Sequence, residues 1–338
     1  MLYPYTMAYS QKELIELLKK GAVPGEKGIP KHIETVMSNV FLFDERAYKL
    51  YKNDNDFLNK NFVDLSGSRE RFSFSRDDFE WNRQLAPEVY VRLQGTKMDA
   101  GAIRFVESEE DAEEFMQVTT RLPSDSSLFE HLRNNDLSEI DYHEIGKQFA
   151  RREQGFVWHG DLPRESLLEN MSGRHRDTVE WIKDVESDVP QQEREDYAGK
   201  LEGLFTQVYA NDRSPVSICI DIHSMNAFYV GGTLYPFDTF SPKYAWHFGP
   251  AMLNVYRLAA DVFALAGEKE FRAVMRGYHE YLRTEPAPRE TEYLLVMYAA
   301  LIMVSYLYML AKTDPDKREA AEKYHDFLKR YSAEANFH

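Results

Sequence analysis

The spacing of apolar residues changes from a strand pattern to a helix pattern about one third of the way along the chain. Within residues 1–120, apolar and polar side chains alternate in several short segments, which is typical of half-buried strands. Within residues 121–338, apolar residues recur every three or four positions, which is typical of amphipathic helices. This change predicts an α+β fold with a small strand-rich N-terminal lobe and a larger helical C-terminal lobe. Because ligand sites often form where two lobes adjoin, we expect a cleft between them.

One predicted β-hairpin interrupts the helical lobe at residues 215–240. Two apolar runs are joined there by Gly231-Gly232, a pair that suits a tight turn between antiparallel strands. Asp221 and Asn226 come before the first run, and Asp238 follows the second. In phosphoryl transfer, one carboxylate can accept the proton of an attacking hydroxyl while an amide and a second carboxylate share a Mg²⁺ ion. The hairpin therefore predicts Asp221 as the catalytic base and Asn226 with Asp238 as metal ligands.

A second segment, HGDL at residues 159–162, resembles a catalytic loop in its letters but lacks the metal-binding companions. Ser166, not an amide, stands five residues after Asp161, and the residues that follow have helical spacing. We interpret the segment as the start of a helix, with Asp161 as the cap and Pro163 in the first turn. A substrate-facing role for His159 or Asp161 stays open.

Lys49 lies within an apolar segment that is predicted to be a strand. Such a lysine is usually a solvated edge residue, but it can hold nucleotide phosphates if an acid on a helix fixes its ammonium group. The next predicted helix offers Asp78 and Glu80, which point to nearly opposite sides. We favour Asp78 as the partner, because it shares a helix face with the apolar residues Trp81 and Leu85.

The charge balance argues against nucleic acid as the main partner. The chain has 41 Lys and Arg against 56 Asp and Glu, and its net charge of −15 repels phosphate backbones. The single cysteine, Cys219, excludes an internal disulfide and gives no sign of an oxidising compartment. The N-terminal residues do not resemble a secretory signal. We therefore expect a cytoplasmic protein.

Residues 294–311 carry no charge over a length that almost suffices to cross a bilayer. The segment contains several tyrosines and Ser305, which prefer a hydrogen-bond partner, and acidic residues precede it. We interpret it as a buried core helix and predict no membrane association.

Several stretches of the sequence, taken in order, resemble the aminoglycoside phosphotransferase-like kinases. The similarity is greatest to a bacterial branch in which such a domain is often followed by a P-loop kinase domain, and it covers roughly residues 11–310. The stretches are HIETVMSNVFLFDERAYKL (32–50), FVDLSGSRERFSF (62–74), RQLAPEVY (83–90), FMQVTTRLP (115–123), IDIHSMNAFYVGGTLYPFDTF (220–240) and ADVFAL (260–265).

This resemblance implies a protein-kinase-like fold that uses ATP and Mg²⁺. It gives Asp221 the role of the catalytic aspartate, Asn226 and Asp238 the role of metal ligands, and Lys49 with Asp78 the role of a phosphate-anchoring pair. Residues 1–120 would form the nucleotide-binding lobe, and residues 121–338 would carry the catalytic loop and the acceptor site.

The resemblance also implies two further nucleotide contacts. The turn at Thr35–Asn39 would cover the phosphates, with Ser38 best placed to reach a phosphate oxygen. The segment between Met116 and Val118 would form the hinge, where backbone groups of these two residues grip the adenine ring.

The chain departs from the family pattern at several positions. Cys219-Ile220 stands where the family has His-Gly before the catalytic aspartate, and the covering turn contains no glycine. Asp78 replaces the usual glutamate, and Arg257 replaces an acid four residues before Asp261. We expect Asp261 to be a buried acid that ties down the loop before Asp221.

The leading hypothesis is an ATP-dependent phosphotransferase that acts on a hydroxyl of a small molecule or of a protein. Two alternatives stay open. The altered loop and the glycine-free turn suit a nucleotide-binding pseudokinase or regulatory module. The pair Asp221 and His223 suits a metallohydrolase, although no second cluster of ligands is visible in the sequence.

Overall fold

The computed structural model of the chain divides into two units. The N-terminal unit, Met1–Pro123, contains a six-stranded antiparallel sheet. The structure describes residues 10–35, 37–155, 164–184, 189–211, 216–241, 247–311 and 315–334. In chain order, the elements of this unit are α1 (Gln11–Lys19), β1 (Lys31–Glu34), β2 (Ser38–Leu42), β3 (Arg46–Tyr51), α2 (Asp56–Asn61), α3 (Ser68–Leu85), β4 (Tyr90–Asp99), β5 (Ala102–Val106) and β6 (Glu114–Thr120).

The strand order β1-β2-β3-β6-β4-β5 places β3 and β6 in the middle of the sheet. One face packs on α1, which begins at a capping box between Ser10 and Glu13, and this face forms an apolar core that includes Leu18 and Leu50. The other face packs on α3. Because successive side chains of a strand point to opposite faces, Lys49 on β3 points away from the apolar core.

The C-terminal unit, Ser124–His338, is mostly helical. A two-stranded hairpin and a separate pair of short strands, β7 with β10, interrupt its helices. The elements are α4 (Leu128–Asn134), α5 (Glu139–Gly155), α6 (Arg164–Asp184), α7 (Gln191–Asn211), β7 (Val216–Ile218), β8 (Ala227–Val230), β9 (Thr233–Pro236), β10 (Phe248–Pro250), α8 (Ala251–Leu265), α9 (Glu268–Leu282), α10 (Arg289–Leu310) and α11 (Pro315–Glu334).

Helix α10 contains the uncharged segment of the sequence. Residues 289–308 are long and apolar enough to cross a membrane, yet 67% of the most apolar window is buried inside the protein. The helix packs against α7, α8 and α11, and Val296, Ala300 and Val304 have no exposed surface. The structure therefore supports the interpretation as a core helix.

The α+β class and the arrangement of a strand-rich part before a helical part are confirmed. Helix α6 runs without a break through Gly173. Helix α3 begins at Ser68, before the apolar residue Phe72, and the short strand β10 directly precedes α8. The HGDL segment at 159–162 lies outside the described residues.

Helices α5 and α9 cross at two glycines. A Cβ atom added to Gly146 would overlap the carbonyl oxygen of Val274, and one added to Gly277 would overlap the carbonyl oxygen of His143. Both obstacles are backbone atoms, which cannot turn aside as a side chain can. The two glycines therefore set how closely the helices approach each other.

We expect Gly146→Ala and Gly277→Ala each to lower the free energy of unfolding by about 1–3 kcal/mol, because the helices must separate. Gly199→Ala and Gly203→Ala on α7 are matched controls, since a Cβ there meets no atom of the described residues within 4 Å. These controls should raise stability by roughly 0.5–1 kcal/mol. Urea unfolding of the four variants measures the contrast, and equal effects in the two pairs would contradict the close crossing.

Candidate active site

The hairpin of the C-terminal unit brings the predicted catalytic and metal-binding positions together. Strands β8 and β9 pair from Ala227 with Pro236 to Val230 with Thr233. Gly231 and Gly232 both have positive φ, of 56° and 80°, as a two-residue turn of this kind requires. At the open end of the hairpin, the amide of Phe237 donates to the carbonyl oxygen of Asn226. Asp238 therefore follows immediately beside Asn226.

The side chain of Asn226 joins the two aspartates through their backbones. Its Nδ2 donates to the carbonyl oxygen of Asp221 at 3.0 Å and to that of Asp238 at 2.9 Å. Both N–H bonds of the amide are used in this way, so the polar atom left for another ligand is Oδ1. Carboxylate and amide oxygens are the ligands that Mg²⁺ prefers. The chemistry of Asn226 and Asp238 thus fits a Mg²⁺ ion.

Asp238 has a left-handed backbone, with φ of 54°. Aspartate tolerates this region better than most residues, but it still costs free energy. Such a conformation persists where the surroundings fix it, and it occurs often at functional sites. The adjacent backbone is fixed here, because the amide of Asp221 donates to the carbonyl oxygen of Thr239 at 2.9 Å.

The carboxylate of Asp221 is partly accessible and is paired with Arg257 of α8. Its side chain is 30% exposed, whereas that of Arg257 is 9% exposed, and Nη2 of Arg257 donates to Oδ1 of Asp221. Burial acts to lower the pKa of the Arg257 guanidinium, but Asp221 and Cys219 together raise it above its ordinary value. The sequence marked Arg257 as a departure from the family pattern without predicting this contact.

Two buried supports hold the segment from Cys219 to Asn226 at its ends. Near its end, the amide of Ser224 donates to Oδ2 of Asp261 at 2.6 Å, and the hydroxyl of Tyr324 donates to Oδ1. Asp261 is thus a buried supporting acid, but it holds the loop after Asp221, where the sequence indicated the loop before it.

The support near the beginning of the segment was missed by sequence analysis. The amide of Ile220 donates to Oδ1 of Asn254 at 2.9 Å, and Nδ2 of Asn254 donates to Oε1 of Glu153 at 2.7 Å. The hydroxyl of Tyr278 donates to Oε2 of Glu153 at 2.9 Å. These residues come from three different helices, so no local spacing in the sequence indicates them.

Burial raises the pKa of Glu153 above its ordinary value of 4.5, against the lowering effect of its hydrogen bonds from Asn254 and Tyr278. The folded state therefore holds this proton more tightly than the unfolded state. The contribution of this proton to the free energy of unfolding is fully present below the pKa of Glu153 in the unfolded state. It is lost as the pH rises through the pKa in the folded state.

We expect Glu153→Gln to remove this pH dependence. The stability of the variant relative to wild type should increase with pH, by up to about 1.4 kcal/mol for each pH unit between the unfolded and folded pKa values of Glu153. Urea unfolding of both proteins at about pH 5 and about pH 8 measures the change. If the free energies of unfolding of the two proteins change with pH in the same way, Glu153 has the same pKa in the folded and the unfolded state, and the prediction is wrong.

In the N-terminal unit, Lys49 contacts Asp78 rather than Glu80. Nζ of Lys49 lies 3.5 Å from Oδ2 of Asp78, and the two side chains are 12% and 1% exposed. Glu80 is exposed on the opposite side of α3. Asp78 also accepts hydrogen bonds from Tyr51 and from Gln117. The buried carboxylate is thus held by several donors, and Lys49 contributes a positive charge among them.

Ser38 lies at the beginning of β2 and is buried. Its hydroxyl is 2.9 Å from Oγ1 of Thr35, and its amide donates to the same atom. The hydroxyl is therefore engaged within its own turn, and a phosphate contact would require it to leave Thr35. Val36 in this turn lies outside the described residues.

Met116 and Val118, the residues predicted at the hinge, lie within strand β6 of the sheet. Both side chains have no exposed surface and belong to the apolar core beside α1. Their strand, β6, pairs with β3 on one edge and with β4 on the other, so its backbone groups are already bonded. Strand β6 ends at Thr120, and residues 121–123 follow it.

Comparison with solved structures identifies the fold. A choline/ethanolamine kinase family protein from Mesorhizobium loti is 14% identical, with 96% of each chain covered and a TM-score of 0.54. A choline kinase from Streptococcus pneumoniae is 12% identical over 96% of this chain and 100% of that one, with a TM-score of 0.53. The aminoglycoside-3'-phosphotransferase of type VIII is 11% identical over 86% and 98%, with a TM-score of 0.52. The chain has the protein-kinase-like fold. No family model and no curated protein matches its sequence.

His223 occupies the interior of this kinase-like fold. It is buried, its ring lies 5.8 Å from that of Tyr306, and burial lowers its pKa against the raising effect of Asp221. Among the described residues, no group of three His, Cys, Asp or Glu side chains is arranged to hold a metal ion. The pair Asp221 and His223 therefore gains no third ligand of these types in the described part of the chain.

Proposed function

We propose that the protein is an ATP-dependent phosphotransferase that moves the γ-phosphoryl group of ATP to a hydroxyl. The observation that carries this proposal is the meeting of Asp221, Asn226 and Asp238 at one end of the hairpin. A chain with the protein-kinase-like fold needs these residue types to transfer a phosphoryl group.

In this proposal, Asp221 orients the acceptor hydroxyl and accepts its proton as the hydroxyl oxygen attacks the γ-phosphorus. The bond from the γ-phosphorus to the bridging oxygen breaks, and ADP leaves. Oδ1 of Asn226 and the carboxylate of Asp238 would hold Mg²⁺, which supplies positive charge to the phosphates. Catalysis then rests on positioning and on charge neutralisation, without a covalent enzyme intermediate.

The N-terminal residues would bind the nucleotide, so that residues 1–120 form the nucleotide-binding lobe and residues 121–338 the catalytic and acceptor lobe. Lys49 would hold phosphate oxygens, and its contact with Asp78 would fix the ammonium group. Ser38 would contact a phosphate after leaving Thr35. The backbone of residues 121–123 is the segment proposed to bind adenine.

A small molecule with a hydroxyl group is the proposed acceptor. The solved structures that share the fold include proteins named as kinases of choline and as aminoglycoside phosphotransferases. A protein acceptor is the second possibility. The buried course of α10 and a single, buried cysteine support the proposal of a cytoplasmic enzyme.

Incubation with γ-labelled ATP and Mg²⁺ tests the proposal. Panels of hydroxylated metabolites and of proteins serve as acceptors, and Asp221→Asn serves as the reference. Label transfer by the wild type alone supports the proposal, whereas equal transfer by both proteins contradicts it.

A pseudokinase or regulatory module is the second candidate, and the Arg257 contact with Asp221 favours it. The buried Arg257 neutralises the Asp221 carboxylate and so weakens it as a base. Asp221 can then accept the hydroxyl proton only if the ion pair opens or if the hydroxyl uses the second carboxylate oxygen. Tight ATP binding without label transfer to any acceptor or to water would support this candidate.

A further inference from the structure

Helix α8 presents three polar side chains along the segment that carries Asp221. Asn254, Arg257 and Asp261 are spaced by three and four residues, so they lie on one face of the helix. They contact Ile220, Asp221 and Ser224 respectively. Two of these contacts are made to backbone amides, and the contact of Arg257 alone is made to a side chain that the proposed reaction uses.

Arg257 interacts with the residue at which the segment departs from the family pattern. Arg257 interacts with the Cys219 side chain as well as with Asp221. Position 219 is where the resembling family carries a histidine that supports the loop. Arg257 therefore interacts both with the residue at which the segment departs from the family pattern and with the Asp221 carboxylate.

Burial of the Arg257 guanidinium costs free energy unless a carboxylate pairs with it. The ion pair with Asp221 therefore holds both side chains in place. The segment from Cys219 to Asn226 contains no lysine or arginine, and His223 is buried. The charge of Arg257 that faces Asp221 therefore comes from the neighbouring helix α8 and not from this segment.

We propose that Arg257 is a positioning residue that fixes the Asp221 carboxylate from α8. The inference rests on the proposed function, because Asp221 must be the base for its orientation to matter. In this arrangement Nη2 of Arg257 holds Oδ1 of Asp221, and the acceptor hydroxyl would give its proton to the same carboxylate.

Steady-state ADP release from ATP and Mg²⁺ tests the role. Arg257→Met should lower kcat by about a hundredfold, because a small displacement of a catalytic group has that effect, while KM for ATP stays within about twofold. Arg257→Lys keeps a charge and should recover at least about a tenth of the wild-type rate. A raised KM with unchanged kcat, or no recovery by lysine in a protein that folds, would overturn the inference.

The double variant Asp221→Asn/Arg257→Met separates positioning from general damage. If Arg257 acts through Asp221, the double variant should turn over ATP no more slowly than Asp221→Asn alone. A further loss in the double variant would show that Arg257 acts elsewhere. Arg276→Met is the matched control, because Arg276 forms an exposed ion pair with Glu139 on the same unit. It should turn over ATP like the wild type.

Melting temperatures provide a readout that needs no turnover. The loss in the double variant should be smaller than the sum of the losses in the two single variants, because each single variant leaves a buried or partly buried charge without its partner. Additive losses would overturn the Arg257 inference whatever the turnover. Equal turnover by wild type and Asp221→Asn, with non-additive losses, would instead refute the proposed function.

Discussion

Asp221→Asn is expected to reduce ADP release from ATP and Mg²⁺ by about 10²- to 10⁴-fold, the usual contribution of a positioned general base. The amide has the shape of the carboxylate but cannot accept the hydroxyl proton. The backbone bonds from Asp221 to Thr239 and from Asn226 to Asp221 do not involve the carboxylate, so the loop should keep its course. Nucleotide affinity should therefore remain nearly that of the wild type.

Two measurements accompany this variant. Calorimetric titration with ATP checks that binding persists, and a melting curve checks that the loss of the charge beside Arg257 has not unfolded the protein. Asp141→Asn is the matched control, because Asp141 is also hydrogen-bonded in the C-terminal unit, to Ser138 and Tyr229. Unchanged ADP release by Asp221→Asn would refute the role of Asp221.

Asp238→Ala should weaken Mg²⁺-dependent ATP binding by more than about a hundredfold. Loss of a residue that merely supports a metal ligand already costs up to about a hundredfold in metal affinity, so loss of a ligand should cost more. Titration calorimetry with ATP in the presence of Mg²⁺, and again after chelation, measures the effect. The variant should bind ATP equally weakly in both conditions.

Two further variants make the Asp238 result specific. Alanine is less tolerant than aspartate of the left-handed backbone at this position, whereas asparagine tolerates it well. Asp238→Asn should therefore keep the fold and still lose most of the metal dependence. Asp326→Ala, on the exposed side of α11, controls for the loss of a negative charge and should bind as the wild type does. Metal-dependent binding retained by Asp238→Ala would remove Asp238 from the metal site.

The hairpin and its carboxylates were predictable from the sequence because their causes are local. Gly231-Gly232 fixes the turn, and the alternating pattern fixes the register, so the positions before β8 and after β9 must lie side by side. The preference for Asp78 over Glu80 has the same basis, since helical spacing decides which acid faces the sheet.

The contacts that sequence analysis missed join residues that lie far apart in the sequence. Asn254 and Arg257 contact the segment around Asp221 from α8, and Glu153 supports Asn254 from α5. Each is an ordinary polar residue in its own helix. Apolar spacing alone also could not tell that Met116 and Val118 lie inside a central strand of the sheet.

The transfer of the γ-phosphoryl group itself is the most direct test of the account. Phosphorus NMR of ATP with Mg²⁺ and the wild-type protein should show the γ-phosphate signal decline while ADP and a new phosphate species appear. Asp221→Asn should bind ATP and leave the spectrum unchanged over the same period. Equal conversion by both proteins, or bound ATP that the wild type never converts with any acceptor or with water, would contradict the proposed phosphotransferase.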